Sequence, residues 1–333
     1  MTTTTTGARN DVREVVVIGS GPAGYTAALY TARAQLKPLL FGSSMFVGGS
    51  LTTTTEVENF PGFPSGINGP DLMDNMRAQA EKFGAGMIDD DIIEVDLTGD
   101  IELLTDSAGT VHRAKAVIIA TGSGYRKLGL PKEEELSGRG VSWCATCDGF
   151  FFRERDIVVV GGGDTAMEEA AFLTRFARSA TVVHRRPTLR ASKAVQNRAF
   201  ADDKISFAFD GEVAEIKETS NMLSGVVLRD VITGATRELD ATGLFIAIGH
   251  DPRTELFADQ LELDAEGYLE TQAPTTRTGL PGVFGAGDVV DHLYRQAITA
   301  AGSGCAAALD AERYLAGLRD AEPLEETGLV TAG

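Results

Sequence analysis

Two stretches of the chain share one pattern of apolar and small residues. Val15–Ile18 is a continuous apolar run that ends in glycine, and an alanine-rich segment and a second apolar run ending at Phe41 follow it. The same order begins again at Ile157 and ends at Val183. In both copies the second run ends 22 positions after the first glycine. Strand, glycine turn, helix and strand form the dinucleotide-binding βαβ unit, so the pattern predicts an α/β protein with two Rossmann-like domains.

The rest of the chain predicts further elements of both domains. Residues 52–64 are rich in Thr, Asn, Pro and Gly and predict a loop, and residues 70–84 predict a helix. The segment from 91 to 121 alternates as short strands do, and another apolar strand ends at Gly249. Small residues from 296 to about 315 predict a last helix.

Composition and charge narrow the class of protein. The 333 residues include 38 glycines and 11 prolines, an excess of glycine that suits backbone lying close to a ligand. The net charge of -18 argues against nucleic acid or an anionic membrane as partner. No apolar stretch approaches the roughly 18 residues that span a bilayer, and three cysteines argue against a secreted disulfide framework. We therefore expect a cytoplasmic protein, with a disordered tail at residues 1–12 and a flexible one at 321–333.

The first glycine turn is Gly19-x-Gly21-x-x-Gly24, with Pro22 and Ala23 between its last two glycines. It follows a predicted strand and opens a predicted helix, which is the context that a dinucleotide fingerprint requires. The first glycine permits the tight turn, the second lets a pyrophosphate reach the backbone, and the third allows close packing of helix and strand. The alternative is a glycine turn without a ligand.

The second turn is Gly161-x-Gly163-x-x-Ala166, with Asp164 and Thr165 inside it. NAD sites place an acidic residue after the following strand, but here that strand is followed by basic residues: His184, Arg185, Arg186 and Arg190. Guanidinium groups match a 2′-phosphate, so this unit is predicted to bind NADPH. A solvated basic patch is the alternative interpretation.

The first unit has neither the acidic residue nor an arginine pair at the matching place. It reads Phe41-Gly42-Ser43-Ser44 there. By exclusion it is predicted to bind a dinucleotide without a 2′-phosphate, and FAD fits best.

Cys144 and Cys147 are the reactive feature of the sequence, and Asp148 follows them directly. Two cysteines three apart can close a disulfide and depress one thiol pKa, and the adjacent acid can move a proton. A zinc site would need two more ligands, and the four histidines show no paired spacing, so we expect no metal. A redox-inert pair is the other alternative. Cys305 lies among small residues and is interpreted as core packing.

These motifs and their order resemble a known family. GSGPAG, TTTTEVENFPGFP, ATG, WCATCDGFF, VVGGGDTAMEEA, HRRPTLRAS, IGHDP, VFGAGDV and YRQAITAAGSG together look like a low-molecular-weight, bacterial-type thioredoxin reductase, over about residues 13–318. The Cys-Ala-Thr-Cys-Asp run directly before the NADPH fingerprint is the most specific part. One departure is Pro187, where the family usually has an acidic residue, and it makes a tight preference for NADPH less secure.

The resemblance implies roles for individual residues. Beside Gly19–Gly24, the flavin would contact Gly42, Gly49, Ser50, Leu51, Asn59, Ala120, Thr121, Gly122, Gly287, Asp288, Arg295, Gln296 and Ala297. NADPH would contact Gly161, Gly163, Asp164, Thr165, Ala166, His184, Arg185, Arg186 and Arg190. Cys147 would face the flavin, Cys144 would attack thioredoxin, and Asp148 would act as acid and base.

The resemblance also implies an architecture and a reaction. The FAD-binding domain would be discontinuous, at residues 13–123 and 253–320, with the NADPH-binding domain at 124–252 inserted into it. Gly122–Gly124 and Gly249–Pro252 connect the two and could act as hinges. The reaction would be the reduction of the thioredoxin disulfide by NADPH, with a rotation of the inserted domain between half-reactions. The protein would be a homodimer.

Three rival functions remain open at this stage. A flavin NADPH oxidoreductase acting on ferredoxin or a quinone would not need the cysteine pair. A small-molecule dithiol oxidase would keep the pair but would not need Arg185, Arg186 and Arg190. A nucleotide-sensing binding protein would need neither a flavin nor the two cysteines.

Overall fold

The computed structural model describes residues 11–44, 47–53 and 56–321. Its elements in chain order are β1 (Val12–Ile18), α1 (Pro22–Arg33), β2 (Leu39–Gly42), β3 (Glu56–Val57), β4 (Ile67–Asn68), α2 (Gly69–Lys82), β5 (Gly86–Asp89), β6 (Ile92–Asp96), β7 (Glu102–Asp106), β8 (Val111–Ile119), β9 (Ser123–Tyr125), β10 (Val141–Ser142), α3 (Ala145–Asp148), β11 (Asp156–Val160), α4 (Asp164–Leu173), β12 (Ser179–His184), α5 (Lys193–Phe200), β13 (Ile205–Phe209), β14 (Gly211–Thr219), β15 (Met222–Asp230), β16 (Thr236–Asp240), β17 (Gly243–Ile246), β18 (His250–Pro252), β19 (Val283–Gly285) and α6 (Ala297–Ala321). Short 3₁₀ turns lie at Gly49–Thr53, Gly149–Phe152 and Gly287–Val289.

The chain divides into two compact units, one inserted into the other. The first unit runs to Glu56, resumes from Phe60 to Ser123 and returns from Pro252 onward. The second comprises Val57–Asn59 and Gly124–Asp251. The chain enters the main part of the second unit at Gly124 and leaves it at Asp251. These two crossings lie in the short strands β9 and β18, which pair with each other.

The first unit is built on a seven-stranded sheet in the order β5-β2-β1-β8-β7-β6, with β19 also paired to β8. The strands β5, β2, β1, β8 and β19 are parallel, and β6 and β7 form an antiparallel extension. The central strand β1 is apolar because it is covered on both faces, and Val15, Val16 and Val17 are fully buried. Helices α1 and α6 pack closely on each other beside this sheet.

The second unit is built on a five-stranded parallel sheet in the order β10-β17-β11-β12-β13. One face carries a core that includes Ala166, Met167 and Leu173 of α4. The other face packs on the antiparallel sheet β14-β15-β16, with Ile216 and Val226 in that core. The five-stranded sheet is therefore buried on both faces, as in doubly wound α/β domains.

The predicted repeat is present in both units. β1 pairs with β2 through Val16 and Leu39, and β11 pairs with β12 through Val159 and Val182. This architecture confirms the prediction of two Rossmann-like α/β domains, one inserted into the other. Within the described part of the chain, no helix combines the length and apolar character needed to cross a membrane.

Several element bounds differ from the predictions. The second strand of each repeat continues one residue further, to Gly42 and His184, because parallel pairing extends to those positions. The last helix reaches Ala321 rather than about residue 315, since the polar turn after Leu315 continues it and Arg319 pairs with Glu14. β1 and α6 each enter a predicted tail by one residue, and residues 1–10 and 322–333 of those tails lie outside the described residues.

Candidate active site

The first glycine turn connects β1 to α1. The Gly19 N–H donates to the Phe41 carbonyl at 2.7 Å, and Gly19 has a φ of 113°, a conformation that favours glycine. A Cβ on Gly19 would lie 2.2 Å from the Ala120 oxygen, and one on Gly24 would lie 1.9 Å from the Gly19 oxygen. At Gly21, in contrast, no atom lies within 4 Å of the Cβ position. The turn is therefore closed on its protein side and open at Gly21, as a pyrophosphate site requires.

Residues far apart in sequence meet at this turn. A Cβ on Gly49 would lie 3.4 Å from the Gly21 Cα, and one on Gly42 would lie 3.0 Å from the Ser20 hydroxyl. The same hydroxyl accepts from the Gly48 N–H at 2.9 Å. Gly287 is similarly close, since a Cβ there would lie 2.8 Å from the Ala23 Cβ. Ser20 was not identified from the sequence, and the fingerprint marks it only as a variable position.

The segment Ala120–Gly122 is hydrogen-bonded to Arg253, which lies just after the point where the chain returns to the first unit. The Thr121 hydroxyl donates to the Arg253 carbonyl at 2.7 Å, and the Arg253 guanidinium donates to the Thr121 carbonyl at 3.2 Å. Gly122 has a φ of 73° and accepts from the Arg253 N–H at 3.0 Å. Arg253 was not identified from the sequence, because no local signal links it to residues 131 and 132 positions earlier.

Asp288 is a half-buried acid in a 3₁₀ turn, and its Oδ1 atom is fully buried. Burial, with the nearby charge of Asp291, raises its pKa to about 6, and Arg295 and Arg253 offset part of that rise. Its Oδ1 is buried and has no hydrogen-bond partner among the described residues. Buried polar atoms are almost always satisfied, so an atom of this kind fits the hydroxyl of a bound ligand such as a ribityl chain.

The loop before α6 carries the remaining predicted flavin contacts. The Asp291 carboxylate accepts from the backbone N–H groups of Leu293, Tyr294 and Arg295 at 2.9, 2.7 and 3.0 Å. Arg295 adopts a φ of 49°, and its guanidinium donates to the His292 carbonyl at 2.6 Å. This loop is therefore shaped by its own hydrogen bonds. Gln296 and Ala297 follow it directly into α6, whereas Asn59 lies in the segment that belongs to the second unit.

The second glycine turn repeats the geometry of the first. Gly161 has a φ of 155°, and a Cβ there would lie 2.4 Å from the Ala247 oxygen and 2.6 Å from the Ala166 Cβ. At Gly163 no atom lies within 4 Å of the Cβ position. Asp164 begins α4 and accepts from the Ser192 N–H at 2.8 Å. This turn is also closed towards the protein and open at its second glycine.

The basic segment after β12 folds back onto this turn. The Arg190 N–H donates to the Gly162 carbonyl at 2.7 Å, and the His184 ring lies 2.2 Å from a Cβ position on Gly162. His184 is buried, and burial together with the neighbouring arginines lowers its pKa. Gly162 is thus required by the His184 ring, which the sequence fingerprint does not reveal.

The three guanidinium groups of this segment are open to solvent. Arg185, Arg186 and Arg190 are exposed, and none of them is paired with a carboxylate in the part of the chain that the structure describes. Three uncompensated guanidinium groups beside an open glycine turn fit a dianionic phosphate group on the nucleotide. Pro187 is exposed within the same segment.

Cys144 and Cys147 form a disulfide at the start of α3. Cys147 is exposed, Cys144 is half-buried, and the Cys147 N–H donates to the Cys144 Sγ at 3.2 Å. Burial raises the pKa of Asp148, and a hydrogen bond from the Ser142 hydroxyl at 2.6 Å partly lowers it. The site thus combines a closed disulfide with a half-buried acid whose pKa is raised. Ser142 was not identified from the sequence.

Cys305 is less enclosed than predicted. It is half-buried on α6, and it raises the pKa of Tyr30, an exposed residue of α1. The interpretation as a core residue is therefore only partly right, because this position lies at the edge of the α1–α6 contact.

Comparison with known protein families agrees with this site. Residues 13–304 match the family described as pyridine nucleotide-disulphide oxidoreductase. A thioredoxin reductase of Streptomyces clavuligerus is 72% identical over 95% of this chain and 98% of its own length. The thioredoxin reductase of Mycolicibacterium smegmatis is 60% identical over 92% of this chain and 97% of its own length.

Solved structures give the same result. The thioredoxin reductase of Streptococcus pyogenes matches with a TM-score of 0.87 at 42% identity, over 93% of this chain and all of that one. The thioredoxin reductase of Giardia duodenalis also has a TM-score of 0.87 at 42% identity, over 91% of this chain and 98% of that one. The chain belongs to the pyridine nucleotide-disulphide oxidoreductase family and, within it, to the thioredoxin reductases. The resemblance found in the sequence is thereby confirmed.

Proposed function

We propose that the chain catalyses the reduction of the thioredoxin disulfide by NADPH, through FAD and the Cys144–Cys147 pair. One observation carries the proposal: a single unit contains both the arginine-bearing glycine turn and a disulfide with a half-buried acid beside it. The other unit contains a second open glycine turn and the unsatisfied Asp288. These two sets of residues fit NADPH and FAD respectively. Bound FAD supplies a two-electron relay between nicotinamide and disulfide.

The chain's own residues divide into binding and reacting groups. Arg185, Arg186 and Arg190 bind the 2′-phosphate, and the open backbone at Gly163 accepts the pyrophosphate. On the flavin side, Gly21 receives the pyrophosphate and the buried Oδ1 of Asp288 accepts a hydrogen bond from the flavin side chain. Each of these contacts fixes a ligand without taking part in electron transfer.

The disulfide and its acid perform the chemistry on the protein substrate. Once reduced, Cys144 attacks a sulfur of oxidised thioredoxin, a new disulfide forms, and the leaving sulfur takes a proton. Cys147 then displaces thioredoxin from Cys144 and restores the Cys144–Cys147 bond. Asp148 accepts and returns protons in these steps, and burial favours its protonated form by raising its pKa.

We further propose that the inserted unit rotates between half-reactions. Two chemically different groups, a nicotinamide and a disulfide, have to reach one flavin, and both belong to the inserted unit. The connections β9 and β18 are only three residues each, and Gly122 and Gly249 beside them adopt φ values of 73° and 108°. A chemical crosslink that joins the two units should stop turnover, and undiminished turnover would refute the rotation.

By the same family resemblance we propose a cytoplasmic homodimer. Analytical ultracentrifugation of the flavin-loaded protein tests the dimer, and a single species with the 35.2 kDa mass of one chain contradicts it.

The proposed reaction is tested by steady-state oxidation of NADPH in the presence of oxidised thioredoxin. Wild type should consume NADPH, whereas Cys144→Ser should not. Cys305→Ser is the matched control, because that cysteine lies on α6 of the other unit, and it should match wild type. If Cys144→Ser turns over thioredoxin as fast as wild type, the proposed function is wrong.

A further inference from the structure

Three hydrogen bonds form a closed ring around the first redox cysteine. The Ser142 hydroxyl donates to Asp148 Oδ2 at 2.6 Å, and the Cys144 N–H donates to the Ser142 Oγ at 3.1 Å. The Asp148 N–H donates to the Cys144 carbonyl at 3.1 Å and closes the ring. Ser142 thus links the acid to the backbone of the cysteine that attacks the substrate.

The ring determines where the single hydrogen of the Ser142 hydroxyl points. Asp148 Oδ2 lies 2.6 Å away, whereas the Cys144 carbonyl lies 3.4 Å away and already accepts from the Asp148 N–H. The shorter and charge-assisted bond is the stronger one, so the hydrogen goes to Asp148. The Ser142 lone pairs then receive the Cys144 N–H.

Ser142 is itself rigidly placed. It is 3% exposed, and it is the last residue of β10, where it pairs with Phe245 of β17. A buried hydroxyl on a paired strand has little freedom to choose another partner. Asp148, in contrast, lies at the end of the short helix α3 and depends on such a partner for its orientation.

We propose that Ser142 is a positioning residue for thiol–disulfide exchange, which holds Asp148 by Oδ2 and so leaves Oδ1 as the oxygen that exchanges a proton with Cys144. The proposal rests on the proposed function. It assigns to Ser142 a role that acts through Asp148 and not on the substrate itself.

The exchange balances with the groups present. As the Cys144 sulfur attacks the substrate disulfide, its proton passes to Asp148 Oδ1 and a new S–S bond forms. The substrate S–S bond breaks, its electron pair stays on the leaving sulfur, and that sulfur takes the proton back from Asp148. Cys147 then repeats the attack on Cys144 Sγ, and its proton ends on the second substrate sulfur. Two electrons and two protons leave the dithiol, and the substrate gains both.

The charged residues nearest to Asp148 along the packed elements lie on helix α4. Helix α4, which packs against α3, carries Asp164, Glu168 and Glu169. Burial raises the pKa of Asp148, and the Ser142 hydrogen bond lowers it. Loss of the Ser142 hydroxyl therefore removes an interaction that stabilises the carboxylate.

The test compares Ser142→Ala with wild type in the flavin-loaded protein. Reduced enzyme is mixed with oxidised thioredoxin over a range of pH, and the rate of disulfide transfer is measured. The carboxylate is the proton acceptor, so the rate falls as pH drops through the pKa of Asp148. Without the Ser142 donor this acidic limb should move up by about one to two pH units, because a hydrogen bond to a charged group is lost. The rate at the plateau should fall roughly 10-fold through poorer orientation of the acid.

Ser179→Ala is the matched control. The Ser179 hydroxyl donates to Asp156 at 2.7 Å in the same unit, at the amino-terminal end of the strands. Its loss should leave both the acidic limb and the plateau unchanged. Ser142→Thr keeps a hydroxyl and should show the wild-type fall in rate at acidic pH. This variant therefore distinguishes loss of the hydrogen bond from loss of packing.

A second measurement needs no substrate. The infrared band of the protonated Asp148 carboxyl, identified by its absence in Asp148→Asn, is titrated in oxidised enzyme. Its midpoint should rise in Ser142→Ala and stay in Ser142→Thr. If the midpoint and the limb are the same in wild type and Ser142→Ala, the proposal is overturned. If thioredoxin is not reduced even by wild type, the proposed function fails, and the infrared titration still decides the role of Ser142.

Discussion

The contact between α1 and α6 allows a quantitative test of how the flavin turn is supported. Gly304 of α6 lies against Ala23, which is part of the first glycine turn. A Cβ on Gly304 would lie 2.1 Å from the Ala23 oxygen and 2.9 Å from its carbonyl carbon. Since nonbonded carbon and oxygen atoms need roughly 3.2 Å, the replacement Gly304→Ala has to separate the two helices by about 1 Å.

The expected cost follows from this overlap. Overpacking against a backbone atom costs about 1–3 kcal/mol, and the better helix propensity of alanine offsets about 1 kcal/mol of that at most. We expect a fall in Tm on the order of 5 °C for a unit of this size. Because the displaced atom belongs to the glycine turn, the Gly304→Ala protein should also be purified with less flavin than wild type.

Gly302→Ala is the matched control. Gly302 lies on the same helix, it is exposed, and no atom lies within 4 Å of its Cβ position. This variant should keep its flavin and melt at or slightly above the wild-type Tm, since alanine is the better helix former. The ratio of flavin to protein absorbance and a thermal melt measure both quantities. Equal flavin content and equal Tm in the two variants would refute the inference that this contact supports the turn.

Three further predictions concern single charged residues. Arg186→Gln should raise the KM for NADPH roughly 10- to 100-fold, because one charge-assisted contact to the 2′-phosphate is lost, and it should leave the KM for NADH unchanged. Equal effects on both nucleotides in initial-rate kinetics would contradict the role of Arg186 in binding the 2′-phosphate. Burial raises the pKa of Glu102 to about 8. As pH rises from about 5 to 8, Glu102 ionises in the unfolded state but stays protonated in the folded state, so the wild-type protein becomes less stable over that range. The Tm advantage of Glu102→Gln should therefore grow over that range, and a constant difference in Tm would be contrary evidence. Glu133 is 2% exposed and accepts hydrogen bonds from three backbone N–H groups at 2.8–3.1 Å. Glu133→Gln should therefore lower the free energy of unfolding in denaturant by about 1.5–3 kcal/mol, whereas Glu134→Gln, at an exposed position, should lower it by less than about 1 kcal/mol. Similar losses in both variants would show that the buried contacts of Glu133 add nothing to stability.

The sequence was sufficient for the features that depend on local pattern. A buried parallel strand, a glycine turn and a helix occupy one continuous segment, so Val15–Gly24 and Ile157–Ala166 could be interpreted without any long-range contact. The disulfide of Cys144 and Cys147 was equally visible, because spacing alone makes it possible. The family resemblance then supplied roles that the pattern alone could not.

The missed residues depend on packing between distant segments. Gly162 must be glycine because the His184 ring, 22 residues later, lies against it. Arg253 holds Thr121 across the whole inserted unit. Ser142 matters only because α3 folds back and brings Asp148 to its hydroxyl. Side-chain partners of this kind follow from the tertiary fold, and no propensity or spacing rule encodes them.

In the proposed reaction Cys144 attacks the disulfide of thioredoxin, and Cys147 then releases the reduced substrate from Cys144. The most direct test is to mix reduced Cys147→Ser protein with oxidised thioredoxin and to identify the products by mass spectrometry. We expect a stable mixed disulfide between Cys144 and thioredoxin, because the cysteine that would resolve it is gone, and no such adduct with Cys144→Ser. An adduct through Cys305, or free reduced thioredoxin produced by the Cys147→Ser protein at the wild-type rate, would contradict the proposed reaction.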